Sequence, residues 1–216
     1  MSKSKYSQKK EIKQNYDYFL ILDFEATCDK PDQPSPMEII EFPVIKLNAQ
    51  TFQSEDVFHS YVRPHHHPTL TTFCTNLTGI IQEMVDNQPK FDVVFANFQK
   101  WMEQTGLICP ETKRSLSRFT FATCGNWDLQ IMLPDQCKIF DLRIPPYMKA
   151  WINVKKSYAD ATGKWPKSME FMLEKLKIRH IGRLHSGIDD CKNLALIVNE
   201  LVNQHSFVFK NTSCEF

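Results

Sequence analysis

Short apolar runs dominate the first third of the chain. Residues 18–25 form a β-prone apolar run that predicts a first strand, and residues 38–48 and 52–62 predict two more. A loop containing three prolines separates the first two runs, and Arg63-Pro64 closes the third. Three consecutive strands with short connections predict a meander.

Helical spacing follows the third strand. The pattern predicts a short helix over 78–85 and a longer one over 91–102, and then strands alternate with helices. These later elements are a strand at 119–123, a helix at 127–133, a strand at 151–154 with a helix from 155, and helices at 169–176 and 188–202. The order predicts an α/β fold with a central mixed five-stranded sheet flanked by helices.

The composition of the chain indicates one domain. The 216 residues are 42% hydrophobic and 24% charged, which suits a single core. We place a domain at 17–205, between a basic flexible tail at 1–16 and a C-terminal tail at 206–216. No apolar stretch reaches the roughly 18 residues of a membrane span, and the first residues do not form a signal segment. We therefore expect an intracellular protein of the cytoplasm or nucleus that does not bind membranes.

Cysteine spacing and charge distribution further narrow the class of protein to which the chain can belong. Seven scattered cysteines without a C-x-x-C pair argue against a disulfide framework and a zinc ribbon. Net charge is only +1, but residues 141–185 hold ten Lys or Arg against four acids, whereas residues 17–56 hold nine acids against two Lys. An acidic pocket beside a basic, aromatic-dotted surface suits an enzyme that binds cations and a phosphate backbone, although two solvated faces would give the same charges.

The sequence Asp23-Phe24-Glu25 ends the first predicted strand. Side chains alternate along a strand, so Asp23 and Glu25 point to one face and Phe24 to the other. Two carboxylates at the end of a core strand repel each other unless a cation lies between them or water reaches them. An isolated D-x-E is more often a strand end that emerges into solvent.

Two further acids have comparable positions. Asp128 follows the strand 119–123 and opens a helix, and Asp190 lies in the first turn of the last helix, five residues after His185. A first-turn acid commonly just complements the helix dipole, and a single loop histidine is commonly a surface residue. The apolar register of the last helix, however, turns Asp190 inward and Asp189 outward, and an inward acid needs a partner.

Together these residues resemble the DEDD exonucleases of the histidine subtype, which have a ribonuclease H-like fold. The resemblance covers 18–204 and is most specific to the three-prime histone mRNA exonuclease, or enhanced-RNAi, family. It rests on Leu-Asp-Phe-Glu-Ala-Thr-Cys at 22–28, Glu-Ile-Ile-Glu-Phe-Pro at 38–43, Tyr-Val-Arg-Pro at 61–64, Leu-Thr-Gly-Ile at 77–80, Gly-Asn-Trp-Asp at 125–128, Trp-Ile-Asn-Val-Lys-Lys-Ser-Tyr at 151–158, Met-Leu-Glu-Lys-Leu at 172–176 and His-Ser-Gly-Ile-Asp-Asp-Cys-Lys-Asn at 185–193. The chain looks like a short member, with only the lysine-containing tail before the domain.

This resemblance implies a metal-dependent 3′-to-5′ exoribonuclease that releases nucleoside 5′-monophosphates, with DNA as a further substrate class. Its metal ligands would hold two Mg²⁺ ions, with Mn²⁺ as a substitute, and are Asp23, Glu25, Asp128 and Asp190. Glu25 and His185 would be catalytic, with His185 as general base. Substrate contacts would come from Ala26, Leu77, Thr78, Trp127 and His185. The expected partners are single-stranded or overhanging 3′ ends of RNA, with DNA 3′ ends as further partners, and we expect a monomer.

Other interpretations stay open at this point. A repair-type 3′-to-5′ exodeoxyribonuclease would use the same four acids and histidine, and a non-catalytic nucleic-acid-binding scaffold would keep the fold. Zinc binding by His65-His66-His67 is a remote alternative, because three consecutive side chains do not easily converge on one ion. Leu77 and Trp127 would also serve as ordinary core residues.

Overall fold

A seven-stranded mixed sheet forms the centre of the computed structural model, which describes residues 12–214. The strands lie side by side in the order β4, β3, β1, β5, β6, β7, and β2 also pairs with β3. Pairing is antiparallel among β1 to β4 and between β6 and β7, and parallel among β1, β5 and β6. The strands are β1 (Tyr18–Leu22), β2 (Glu25–Ala26), β3 (Ile39–Asn48), β4 (Ser54–Tyr61), β5 (Phe119–Thr123), β6 (Ala150–Asn153) and β7 (Ser213–Cys214).

Helices cover both faces of this sheet. They are α1 (Thr72–Thr78), α2 (Gln82–Asp86), α3 (Phe91–Gln104), α4 (Leu133–Ile139), α5 (Val154–Thr162), α6 (Met169–Lys175) and α7 (Gly187–His205). A π-helical turn, Asp128–Met132, leads into α4, and a 3₁₀ turn, Pro146–Met148, precedes β6. Among the residues described, no helix has both the length and the hydropathy to cross a membrane.

Alternation along β1 divides the core in two. Leu20 and Leu22 pack with residues of α3 and α4, whereas Phe19 and Ile21 pack with residues of α5, α6 and α7. Phe24 continues the first set and contacts Phe42 with ring centroids 4.7 Å apart. Odd-numbered positions at this end of the sheet therefore face α7, which is why both acids of the D-x-E sequence lie on the side where α7 begins.

The predicted α/β class is confirmed, with two differences in the elements. All five predicted strands are present, but the two-residue strands β2 and β7 bring the sheet to seven. The predicted helix over 78–85 is wrong, because the chain has α1 before it and α2 near its end. Gly79 ends α1 in the left-handed region at φ 77°, and Thr71 caps its start by accepting the amide of Cys74.

Both predicted tail boundaries also differ from the structure. Gln14 is buried, and its side chain bonds to the carbonyl of Phe207 and to the amide of Phe209, at 3.0 and 2.9 Å. Phe209 is fully buried, and β7 adds to the sheet beyond it. Residues 12–16 and 206–214 thus pack onto the domain, while residues 1–11 of the predicted basic tail lie outside the described part.

Candidate active site

Four acidic side chains come together where β1, β2 and α7 meet the turn after β5. Glu25, Asp128 and Asp190 are only 8%, 5% and 4% exposed, and Asp23 is half-buried. Carboxylate oxygens of Glu25 and Asp190 and a ring nitrogen of His185 all lie within 4.8 Å of one another. The charges of Asp128, Glu25 and Asp190 each raise the pKa of Asp23, so these residues share one cleft.

Asp128 is held by the end of β1. Its Oδ1 accepts the amide of Phe24 at 2.9 Å, which ties the D-x-E sequence to the first residue of the π-helical turn. The preceding Asn126 fixes the other side of this turn, since its Oδ1 accepts from Trp151 Nε1, Asn153 Nδ2 and Ser213 Oγ at 3.2, 2.9 and 2.8 Å. Irregular helical turns of this kind are frequent at functional sites.

Asp190 has one satisfied and one unsatisfied oxygen. Its Oδ2 accepts the backbone amide of His185 at 2.9 Å. Its Oδ1 is buried and has no hydrogen-bond partner within residues 12–214. A buried carboxylate oxygen without a donor is costly, and a hard cation is the partner that an acceptor-only group would fit.

Helix α7 approaches β1 very closely at Gly187. A Cβ placed on this glycine would lie 2.7 Å from the carbonyl oxygen of Asp23 and 3.0 Å from Pro43 Cγ. Real Cβ atoms do not come so near to a backbone oxygen, so only glycine fits without displacing the helix. This contact places Asp190, three residues later, beside the end of β1.

Glu41 is a fifth buried acid that sequence reasoning missed. It is 1% exposed and lies opposite Glu25 in the pairing of β2 with β3. Its carboxylate accepts the amides of Gly187 and Ile188 at 2.9 and 3.2 Å, and His59 Nε2 lies 2.8 Å from Oε1. Glu41 therefore fixes the first turn of α7 rather than facing the open cleft. The signal available in the sequence was an acid inside an apolar strand, which requires a partner.

His185 is exposed at the edge of this cleft. Its backbone is in the left-handed region at φ 57°, between the loop that follows α6 and the first turn of α7. Asp189 does not simply face solvent as predicted, because it accepts the amide of Arg183 and pairs with Lys192, at 3.0 and 2.8 Å. The histidine ring is free to approach a ligand, while the loop backbone is anchored.

Burial and mutual repulsion raise the pKa values of the cleft. Burial, and then the charges of Asp128, Glu25 and Asp190, raise the pKa of Asp23 well above its usual range. Burial and the charge of Glu41 raise the pKa of Glu25 to about 9. Burial also raises the pKa of Asp128 to about 6 and that of Asp190 to about 6, despite the amides that each accepts. Such a site binds protons when empty and cations when they are available.

The stability of the metal-free protein should therefore fall as pH rises. The folded-state pKa values of Asp128, Asp190 and Glu25 exceed their unfolded values, so the stabilisation from their bound protons is complete below about pH 4 and lost through about pH 6 to 9. In chelator, we expect the melting temperature to drop by roughly 5 °C between pH 5 and pH 8, as a loss of about 1 to 2 kcal/mol would produce. Mg²⁺ should restore more stability at pH 8 than at pH 5, and a pH-independent Mg²⁺ effect in scanning fluorimetry would contradict this account.

The residues expected to contact the terminal nucleotide lie on β2, on α1 and in the turn before Asp128. Ala26 is buried in β2, and its carbonyl accepts from Cys74 Sγ of α1 at 3.7 Å. Leu77 is partly exposed, but the hydroxyl of Thr78 is buried and bonds within α1 to the Cys74 carbonyl at 2.9 Å. Trp127 is 37% exposed and borders a groove of about 570 Å³. The geometry leaves Leu77 and Trp127 accessible to a ligand and gives the Thr78 side chain a capping role.

The consecutive histidines form a turn around another buried acid. The amides of His65, His66 and His67 donate to the carboxylate of Glu38 at 2.6, 2.8 and 2.8 Å. The only group of three potential metal ligands that converge, within the part of the chain described, is the one in the carboxylate cleft. Zinc binding by these three histidines is thus not favoured.

Comparison with known proteins agrees with this geometry. The sequence profile of the exonuclease family represented by RNase T matches residues 20–198. Human ERI1 exoribonuclease 3 is 53% identical over 204 residues, covering 94% of this chain and 58% of that protein. The chain therefore spans little more than half the length of this relative.

Two solved structures resemble the fold closely. One is the nuclease domain of 3′hExo, a DEDDh family member, bound to rAMP, with a TM-score of 0.83, 38% identity and coverage of 93% of this chain and 98% of that one. The other shows recognition of a histone mRNA stem-loop by 3′-exonuclease, with a TM-score of 0.81, 38% identity and coverage of 90% and 86%. The fold is ribonuclease H-like, as predicted, and the chain belongs to the DEDDh exonuclease family.

Proposed function

We propose that this protein is a metal-dependent 3′-to-5′ exoribonuclease that hydrolyses the terminal phosphodiester and releases nucleoside 5′-monophosphates. The observation that carries the proposal is the cleft in which four carboxylates, one with an unsatisfied buried oxygen, converge beside an exposed histidine. The names of the relatives, an exoribonuclease and a nuclease bound to rAMP, support RNA as the substrate class.

Asp23, Glu25, Asp128 and Asp190 would hold two divalent cations. Oxygen donors favour hard ions, which makes Mg²⁺ the expected metal and Mn²⁺ a substitute. When bound, such a pair supplies neutralisation of charge on the phosphate and activation of water. The protein contributes the fixed ligand geometry, since Asp128 is held by the Phe24 amide and Asp190 by the His185 amide.

His185 would accept the proton of the attacking water. An imidazole is suited to proton transfer near neutral pH, and this ring lies within 4.8 Å of the carboxylate oxygens of Glu25 and Asp190. Glu25 would assist as a metal ligand close to the histidine ring. Because His185 is exposed, its ring can turn towards the scissile phosphate when substrate binds.

The terminal nucleotide would bind between β2, α1 and the turn that carries Trp127. The backbone of Glu25 and Ala26 would contact the last sugar, while Leu77 and Trp127 would flank the last bases. Stacking on such side chains tolerates every base, so we expect a broad base preference. Single-stranded or overhanging 3′ ends fit a cleft of this kind, and a monomer suffices because all of these residues come from one chain.

A direct assay tests the proposed function. Purified protein would be incubated with 5′-labelled RNA and DNA, single-stranded or duplex with recessed and overhanging 3′ ends, in Mg²⁺, Mn²⁺ or chelator. We expect a ladder that shortens from the 3′ end of RNA only when metal is present. Cuts inside the strand, cleavage in chelator, or no cleavage of any substrate would each contradict the proposal.

The same assay separates the alternative functions. Faster removal of nucleotides from DNA with recessed ends would indicate a repair-type exodeoxyribonuclease. Tight binding of RNA without hydrolysis under every metal condition would indicate a nucleic-acid-binding scaffold. Retention of all four acids and the histidine in one cleft favours the enzyme over the scaffold.

A further inference from the structure

We propose that Arg183 is a positioning residue that fastens the loop carrying His185 to helix α1, so that the general base and the surface that meets the terminal bases are held in one geometry. This inference rests on the proposed exonuclease function. It concerns the segment 177–186, between α6 and α7, whose backbone takes left-handed φ values of 68° at Gly182 and 57° at His185.

The backbone of this loop is anchored to α7. Asn193 accepts the amide of Ile181 and donates to its carbonyl, both at 2.9 Å. Asp189 Oδ2 accepts the amide of Arg183 at 3.0 Å. A Cβ on Gly182 would lie only 2.1 Å from that same oxygen, so the turn needs glycine for close approach as well as for its φ. Asp190 Oδ2 also accepts the amide of His185 at 2.9 Å. These contacts hold the backbone of the loop and not the side chain of His185.

The side chain of Arg183 leaves α7 and reaches α1. Its Nη2 donates to the carbonyl oxygen of Asn76 at 2.5 Å. The guanidinium lies against Gly79, where a Cβ would be 1.6 Å from Nη1. The left-handed glycine that ends α1 therefore also provides the flat surface on which Arg183 packs.

The contact is well matched to the end of a helix. The neighbouring carbonyls of Cys74 and Thr75 already accept from Thr78 Oγ1 and the Gly79 amide, at 2.9 and 2.8 Å. Helix α1 has no basic residue of its own in its last turn, so Arg183 supplies the cation that C-terminal carbonyls favour. A planar guanidinium can bond and pack at once, which the ammonium of lysine cannot.

Two parts of the proposed site are linked by this one side chain. Leu77 and Thr78 follow Asn76 directly in α1, and His185 lies two residues beyond Arg183. A displacement of about 1 Å in a reacting group costs on the order of 100-fold in rate. Loss of the Arg183 contact should therefore lower kcat by releasing His185, and should change KM little.

The test compares Arg183→Ala with Arg179→Ala, which removes an exposed arginine from the same loop and controls for lost positive charge. On 5′-labelled RNA with saturating Mg²⁺, we expect Arg183→Ala to lower kcat about 30-fold with KM within about 3-fold of wild type, consistent with the cost of misplacement. Arg183→Lys should recover only part of that loss, and Arg179→Ala should keep kcat. In metal-free protein, amide hydrogen exchange over 181–186 should be faster in Arg183→Ala alone.

A second variant disrupts the same contact from the side of α1. Gly79→Ala keeps the arginine but places a methyl group where its guanidinium packs. Combining Gly79→Ala with Arg183→Ala should therefore lower kcat no further than Arg183→Ala does. If Arg183→Ala matches Arg179→Ala, or raises KM with kcat unchanged, Arg183 only attracts RNA or does nothing, and the inference is overturned. Failure of the wild-type protein to shorten RNA would instead overturn the proposed function.

Discussion

Replacing Asp190 with asparagine should lower the rate of 3′-end hydrolysis by about 1,000-fold while leaving the metal-free protein at least as stable as the wild type. A metal ion in a hydrolase stabilises the transition state by several kcal/mol, and each factor of ten in rate corresponds to about 1.4 kcal/mol. Asparagine keeps an oxygen that can accept the His185 amide. It removes a buried carboxylate whose pKa burial raises to about 6. Above that pH the neutral side chain costs less to bury than the charged one.

Two measurements check this result. Single-turnover kinetics on 5′-labelled RNA gives the rate, and melting at pH 8 with and without Mg²⁺ gives the metal-linked stabilisation, which the variant should lose. Asp160→Asn, at an exposed acid of α5, provides the matched control and should behave as the wild type. A variant that still gains stability from Mg²⁺ as the wild type does would show that Asp190 is not a ligand.

Replacing His185 with alanine should lower kcat by about 100- to 10,000-fold, the usual contribution of a positioned general base. RNA binding and the stabilisation by Mg²⁺ should persist, because the four carboxylates stay in place. The expected difference from Asp190→Asn is therefore a slow enzyme that still binds metal. Binding of a 5′-labelled RNA in Ca²⁺ and melting in Mg²⁺ measure the two retained properties.

The control for this variant is His205→Ala, which removes an exposed histidine from the last turn of α7, the helix that follows the His185 loop. Its rate should equal that of the wild type. If His185→Ala loses the Mg²⁺ stabilisation as well as the rate, the ring is a metal ligand together with Glu25 and Asp190, which its distance from them also permits. Near-normal hydrolysis by His185→Ala would remove the general-base role.

Periodicity predicted the side chains that continue a regular element. The period of two along β1 placed Asp23 and Glu25 together and Phe24 in the core, and the structure has that arrangement. The apolar register of α7 likewise turned Asp190 inward, where it is buried. In both cases the element is long enough for the pattern to fix the direction of a side chain at its end.

Contacts that depend on loop geometry or on distant packing were not predictable in this way. The amides that Glu41 accepts belong to α7, 146 and 147 residues later in the chain, so these contacts have no local signature beyond an acid between two apolar residues. Asp189 turns to Arg183 because Gly182 and His185 adopt left-handed conformations. Strand β7 has two residues, which is too short for any period to be read.

The close approach of Gly187 to the carbonyl of Asp23 has a wider consequence. The separation of Asp23 from Asp190 is set by a contact between two main chains. This contact does not change when neighbouring core residues are exchanged for others. The separation of these two acids thus depends on the geometry of the peptide backbone. Any side chain at position 187 would push the start of α7, and Asp190 with it, away from Asp23.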